Sequence, residues 1–409
     1  MSEKPIVIVG AGHSGAKAAA ALRKHGWLGG IQLVGAEKHL PYDRPPLSKA
    51  VLQGKKATED CTFFESQWFD SNNVSVMLGS VVTALHPKSC QVELDDGSLI
   101  DYHRLLLATG AEPRVPDIPG IDLENVFGLR TPDQARSIAN SLKPGADVVI
   151  LGGGVIGLEV AAVAADMGCK VKLVEATSQV MGRSVPEEFA KIIQKRHTAR
   201  GVEIFLQTIV SQVIGADSVN AVKLSSGKVI PCNVLVYGVG VIPCAEVAES
   251  AGLKVTNGVS TDAYLATSDS RVFACGDVCN FQSRRYGQSL RLENWRNAED
   301  QADIAARNML GHNFEYDPLP WFWSSQYGWT IQATGIVDPL GLVGIFHDKE
   351  TSYFINFSYS GKLVAAGALG AVRDVGPAIR KFKQRILEGL SLGSLGSESL
   401  KEEIQYILG

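Results

Sequence analysis

The chain has 409 residues, 45% apolar and 20% charged, with a formal net charge of −4 and a pI near 6.1. That balance fits a globular protein of two or three domains and argues against nucleic acid as the main partner. No apolar run of about 18 residues occurs, so no membrane span is expected. The start, MSEKPIVIVG, enters a strand too soon to leave room for a signal peptide.

The first element is the apolar run Pro5 to Val9, read as a buried parallel strand. Gly10, Gly12 and Gly15 follow in G-x-G-x-x-G spacing and open an Ala-rich helix from Ser14 to about Lys24. A second strand, Ile31 to Val34, leads to Glu37, 22 residues after Gly15. The spacing has a physical meaning. The first Gly makes the tight turn, the second lets a pyrophosphate approach the backbone, the third packs helix on strand, and the acid suits a ribose diol. The next loop, Leu40 to Leu52, carries Arg44 and Lys49. Pro45 and Pro46 are expected to hold it extended before a short helix near Leu47 or Ser48.

The segment Glu93 to Pro113 resembles Lys223 to Pro243 at a constant offset of 130: Gly97 matches Gly227, Leu105 matches Leu235 and Gly110 matches Gly240. Asp96-Gly97 and Ser226-Gly227 read as hairpin turns, each followed by an apolar strand ending in Gly. Between these segments, Thr131 and Pro132 read as the N-cap and first residue of a helix. Then Asp147 to Glu175 repeats the opening unit, with the strand Val148 to Leu151, then Gly152, Gly154 and Gly157, and a strand Val171 to Val174 ending on Glu175, 18 residues past Gly157. The chain therefore carries two dinucleotide fingerprints. Val272 to Ala274 reads as a short strand, with Gly276-Asp277 as a turn.

From about Asp317 the composition changes. Trp321, Phe322, Trp323, Tyr327 and Trp329 precede alternating strands, a helix is expected over Asp374 to Leu390, and a Gly/Ser-rich tether runs to Ser399. This reads as a C-terminal α+β domain without a nucleotide signature. The seven Cys (Cys61, Cys90, Cys169, Cys232, Cys244, Cys275 and Cys279) include no C-x-x-C pair and no metal-ligand array. Reduced thiols are expected, with no metal and no redox disulfide.

Taken together, VGAGHSG, PYDRPPLSK, LLLATGAEPR, GGGVIGLEVA, GVGVIP, FACGDV, ENW and PWFWSSQYG resemble the NADH-dependent ferredoxin reductases of bacterial Rieske oxygenases and cytochromes P450. These are glutathione-reductase-like flavoproteins whose relatives include apoptosis-inducing factor. The resemblance runs from Ile6 to about Tyr327. It implies an α/β fold of two Rossmann-like dinucleotide-binding domains plus the C-terminal α+β domain. A discontinuous FAD domain would take 1–112 and 241–317, an NADH domain 113–240 and the third domain 318–409.

By this resemblance FAD would be held by Gly10, Ala11, Gly12, His13, Gly15, Glu37, Arg44, Pro45, Lys49, Val82, Ala108, Thr109, Gly110, Arg130 and Asp277. Glu293, Asn294 and Trp295 would meet the flavin's pyrimidine edge. NADH would be held by Gly152, Gly154, Val155, Ile156, Gly157, Glu159, Glu175, Arg183, Gly238 and Gly240. Lys49 would lie beside flavin N5, paired with Glu159, and Trp323 would sit at the flavin edge facing the acceptor. These three are the implied catalytic residues. Glu175 would disfavour the 2′-phosphate of NADPH by like-charge repulsion, while Arg183 would soften that preference.

The implied partner is a [2Fe–2S] ferredoxin of plant, putidaredoxin or Rieske type, served by a cytoplasmic monomer or homodimer. Arg284, Arg285, Arg291, Arg296 and Arg307 offer a docking face for it. A rubredoxin or putidaredoxin-type reductase is the related alternative, and an apoptosis-inducing-factor-like redox sensor the non-enzymatic one. Two departures stand out: Cys244 where the family commonly has Asn, and Cys275 where it has Ile or Ala.

Overall fold

Each glycine-rich turn sits where a buried strand hands over to a helix, and the computed structural model, which describes residues 4–392 and Ile407, builds a parallel sheet around each. In the first, the order is Val272–Ala274, Arg104–Leu107, Ile6–Val9, Ile31–Gly35, Val74–Leu78, with every neighbour parallel. The central strands Ile6–Val9 and Arg104–Leu107 are near-continuous runs of Val, Ile and Leu because both of their faces are covered. The helix His13–Lys24 packs against the helix Trp295–Met309, and both bury alanines, Ala16, Ala18, Ala19 and Ala21 in the first and Ala298, Ala302, Ala305 and Ala306 in the second.

The second sheet repeats the plan: Val126–Gly128, Val234–Tyr237, Asp147–Leu151, Lys170–Val174, Glu203–Phe205, again all parallel. In both sheets the glycine strand lies between the strand that follows the hairpin and the strand that leads to the acid. The hairpins correspond too. Gln91–Leu94 pairs with Leu99–Asp101 around Gly97, and Val219–Leu224 with Val229–Pro231 around Gly227. Both turn glycines have positive φ, 81° and 86°, which a side chain would disfavour.

The C-terminal region is an antiparallel sheet in the order Trp321–Gln326, Trp329–Gly335, Leu363–Gly370, Thr351–Phe357, Leu342–Asp348. The helix Val372–Leu387 covers it with Val375, Ala378, Ile379 and Phe382, the i, i+3, i+4, i+7 stripe of an amphipathic helix. It begins two residues before the expected Asp374. It ends at Leu387, where Gly389 at φ 74° turns the chain away. The expected tether lies, from residue 393 onward, outside the described residues.

The short helix after the paired prolines also differs from expectation. Pro45 and Pro46 are part of the one-turn helix Pro45–Ser48 itself, since a first turn has no N–H to lose and proline's φ already suits it. The chain divides into two compact units: residues 4–44, 59–112 and 241–318 in the first, and 45–58, 113–240 and 319–392 in the second. Among the described residues no helix is long and apolar enough to cross a membrane.

Candidate functional site

In the first unit, the strand Ile6–Val9 delivers Gly10 at φ 113°, where a Cβ would stand 2.1 Å from the Ala108 carbonyl oxygen. A Cβ on Gly15 would meet the Gly10 carbonyl oxygen at 1.9 Å. Gly12 is roomier: the nearest atom to its Cβ position is an Arg44 guanidinium nitrogen 3.9 Å away. The second unit repeats these relations. A Cβ on Gly152 would lie 2.4 Å from the Gly238 oxygen and one on Gly157 2.0 Å from the Gly152 oxygen, while Gly154 has nothing within 4 Å. In each cradle, then, the outer glycines serve the protein's own packing, and the middle one leaves space for a ligand. Both helices begin without a side-chain cap or an acidic residue in the first turn. Their leading N–H groups and positive dipole ends suit phosphate.

Around the first cradle, Arg44 donates to Glu37 at 2.6 Å and to the Tyr42 hydroxyl at 2.7 Å, and Tyr42 donates to the other Glu37 oxygen at 2.7 Å. Burial works against the Arg44 charge, but Tyr42, Glu37 and Asp277 outweigh it and raise its pKa. His13 lies between Phe63 and Trp295, with ring centroids at 4.6 and 4.8 Å. Burial, then Lys17 and Arg44, lower its pKa to about 3, so it is neutral at physiological pH. Its Nε2 is buried without a hydrogen-bond partner.

Trp295 donates to Asp43 at 2.8 Å, and Asn294 caps the helix Trp295–Met309 by accepting from the Asn297 amide. Glu293 pairs with Arg291 at 2.6 Å, and Arg291 also donates to the Asp277 carbonyl. Val82, Ala108, Thr109 and Gly110 belong to the same unit, where the Thr109 hydroxyl donates to the Cys244 carbonyl at 2.6 Å. That contact engages the backbone of Cys244.

Pro45, Lys49, Arg130 and Trp323 lie in the second unit. Glu175 ends the second strand of its cradle and accepts the Gly153 amide at 2.6 Å, while its other oxygen accepts the Thr177 amide and hydroxyl, each at 2.7 Å. Arg183 is exposed on the segment whose Met181 amide donates to the Gly153 carbonyl. Val155 and Ile156 form the first turn of the helix Val155–Asp166, and Ile156 is exposed. Glu159, two residues beyond Gly157, is 3% exposed. One of its oxygens accepts from Lys49 at 2.8 Å and from the Ser48 hydroxyl at 2.5 Å, and the other accepts from the Ser324 hydroxyl at 2.7 Å. Trp323 stacks on Trp321, centroids 5.2 Å apart, on the strand that carries Ser324.

Ser48, Ser324, Gln326 and His197 are absent from the residues expected from sequence. Ser48 and Ser324 sit inside PPLSK and PWFWSSQYG, and the two-residue period of a strand put Ser324 and Gln326 on one face. His197 offered no signal. The proposed docking arginines behave differently from a free basic face. Arg284 pairs with Glu315, Arg291 with Glu293, Arg296 with Asp300 and Arg307 with Asp303. All seven Cys are free. Burial raises the thiols of Cys275 and Cys279, the latter to about 12, which makes them poor nucleophiles.

The profile of the pyridine nucleotide-disulphide oxidoreductase family matches residues 4–302. The ferredoxin–NAD(+) reductase component of the anthranilate 1,2-dioxygenase system of Burkholderia cepacia is 36% identical over 383 residues, 93% of this chain and 94% of that protein. The rubredoxin–NAD(+) reductase of Pseudomonas putida is 37% identical over 347 residues, 85% of this chain and 90% of that protein. Among solved structures, the ferredoxin reductase for the CYP199A2 system of Rhodopseudomonas palustris is 32% identical with a TM-score of 0.92, covering 100% of both chains.

Proposed function

This chain belongs to the pyridine nucleotide-disulphide oxidoreductase family, and we propose that it works as an FAD-dependent NADH:ferredoxin oxidoreductase supplying a Rieske oxygenase or a cytochrome P450. The duplicated cradle carries this reading. Two turns in one chain each reserve their middle glycine for something outside the protein, and each is followed by its own acid. FAD, when bound, takes two electrons together from NADH and returns them singly to a one-electron carrier.

The residues fit both groups. Two uncapped helix N-termini suit two pyrophosphates, and the buried Nε2 of His13 is left for a ligand acceptor or donor. Glu37, held in place by Arg44 and Tyr42, suits the ribose of FAD, and Asp277 with the Glu293–Trp295 segment suits the rest of that cofactor. Glu175 suits the ribose diol of NADH and repels a 2′-phosphate. Lys49 and Glu159 serve the reacting ends of the cofactors, Lys49 favouring negative charge on the reduced flavin and Glu159 orienting the nicotinamide carboxamide. Trp323 serves the side from which the acceptor takes electrons.

The functional domains then follow as 1–112 with 241–317 for FAD, 113–240 for NADH and 318–409 for the acceptor side. The carrier is a [2Fe–2S] ferredoxin, met in the cytoplasm by a monomer or homodimer. The similarity to a rubredoxin reductase keeps that carrier as the second reading. Anaerobic addition of NADH should bleach the visible absorbance of bound flavin, and oxidised [2Fe–2S] ferredoxins should restore it faster than rubredoxin does. Rapid bleaching with restoration by rubredoxin alone reverses the carrier assignment, and a purified protein that neither carries nor takes up FAD ends the whole reading.

A further inference from the structure

Glu159 stands at the end of a line of buried polar groups that runs through the C-terminal sheet, all within the second unit. Ser324 Oγ lies 2.7 Å from Glu159 Oε1, Gln326 Nε2 is 2.9 Å from Ser324 Oγ, and His197 Nε2 is 2.6 Å from Gln326 Oε1. Beyond them the Tyr327 hydroxyl is 3.3 Å from His197 Nδ1. Ser324, Gln326 and His197 are all buried, and His197 has no exposed surface at all.

The carboxylate decides the direction of every bond in this line. A carboxylate only accepts, so Ser324 must donate to it and offer a lone pair to Gln326. Gln326 must then present its NH2 to Ser324 and its carbonyl oxygen to His197. His197 must carry its proton on Nε2, which leaves Nδ1 to accept from Tyr327. A neutral imidazole is required for this. Burial lowers the His197 pKa, outweighing the hydrogen bond to Gln326. The line cannot pass a proton, because the Gln326 amide has none to give up at ordinary cost. It orients, each bond polarising the next.

We propose that Ser324, Gln326 and His197 are positioning residues, a one-directional hydrogen-bond chain that holds the Glu159 carboxylate in the orientation in which it meets Lys49. The inference rests on the reading of Lys49 and Glu159 as cofactor-facing groups. It adds that the C-terminal sheet and the helix Glu187–Thr198 set the geometry of that pair. Ser48, on the other carboxylate oxygen, completes the clamp.

The test uses the FAD-loaded protein and two measurements. The first is the tautomer of His197 by 15N NMR, assigned by its loss in His197→Phe. The second is the rate of flavin reduction by NADH, with the NADH dissociation constant measured separately. In the wild type, His197 should be the Nε2–H tautomer. Ser324 bonds Glu159 and Gln326 and makes no hydrogen bond to His197, yet Ser324→Ala should free the Gln326 amide to turn over and mix the His197 tautomers. It should also slow reduction by roughly three- to tenfold with little change in NADH affinity, the range that one net hydrogen bond supports. Ser324→Thr, which keeps the hydroxyl, should restore both within twofold. Gln326→Met cuts the chain one link further on and gives the same two readouts if Ser324→Ala does not fold.

An unchanged His197 signal in the cut variants overturns the chain. A mixed signal with wild-type reduction overturns its positioning role. Glu159→Gln separates this from the underlying reading: if it leaves reduction unimpaired, the cofactor role of Glu159 fails, whatever His197 shows.

Discussion

Glu175 accepts the Gly153 amide at 2.6 Å, so the acid that ends the second strand also ties down the turn of its own cradle. Its other oxygen is engaged by Thr177. A ribose diol would therefore meet a carboxylate whose position is already fixed, and a 2′-phosphate would meet its charge. Glu175→Ala should bring the NADH:NADPH ratio of kcat/KM close to unity, and it should cost stability too, about 1–3 kcal/mol for the orphaned Gly153 amide. Steady-state kinetics with both cofactors and a denaturant melt check the two parts. Unchanged discrimination would move specificity to another residue, Arg183 first.

The cradle glycines should separate by role. A Cβ on Gly157 would sit 2.0 Å from the Gly152 carbonyl oxygen, so Gly157→Ala must push the helix off its strand. A Cβ on Gly154 would touch nothing within 4 Å. Gly154→Ala should thus melt within a degree or two of wild type while binding NADH at least tenfold more weakly, because the methyl occupies the phosphate's approach. Gly157→Ala should lose several degrees. Equal losses of stability in the two variants would refute the division.

His13 supplies a pH dependence of known sign. The folded protein holds its pKa near 3, against an ordinary 6.5 in the unfolded chain. Between those values the unfolded state binds the extra proton, so stability falls as pH drops below 6.5, by at most about 1.4 kcal/mol per pH unit. His13→Asn removes that sensitivity. At saturating FAD, urea midpoints taken at pH 7.5 and 5 should show the variant losing up to about 2 kcal/mol less than wild type across the interval. Parallel losses would mean that His13 is protonated in the native state.

The cradles were legible in the sequence because a turn that needs a glycine leaves few substitutes, and the repeat at an offset of 130 residues revealed the matching hairpins. Thr131 also reads directly as the cap it is, from the proline that follows it, and the structure adds Gln134 as the other half of a capping box. Other features depend on folding in three dimensions. Ser324 and Gln326 are ordinary polar residues of a strand until Glu159, some 165 positions earlier for Ser324, is brought against them. His197 shares the buried face of its helix with Phe189 and Ile193, a position that speaks only of packing until Gln326 is brought against it. Of the partners that the arginines of residues 284–307 take, Glu293, Asp300 and Asp303 lie within four positions of Arg291, Arg296 and Arg307, and only Glu315, paired with Arg284, is set beside its arginine by the fold.

Those pairings alter what the arginines can do for a carrier. Arg291, 8% exposed, donates to Asn257, to the Asp277 carbonyl and to Glu293, so its charge is spent inside the protein. Arg285 is exposed, and its backbone amide, rather than its guanidinium, meets the Asp317 carboxylate. Arg284, Arg296 and Arg307 form surface ion pairs, which are weak enough, about 0–1 kcal/mol, to exchange for an acidic partner. Arg285→Glu should therefore lower kcat/KM for the ferredoxin several-fold at low salt, and the loss should shrink as ionic strength rises and screens the encounter. Arg291→Gln should instead lower the melting temperature by several degrees with no such salt dependence. If Arg285→Glu leaves turnover untouched at low salt, the carrier docks on another face.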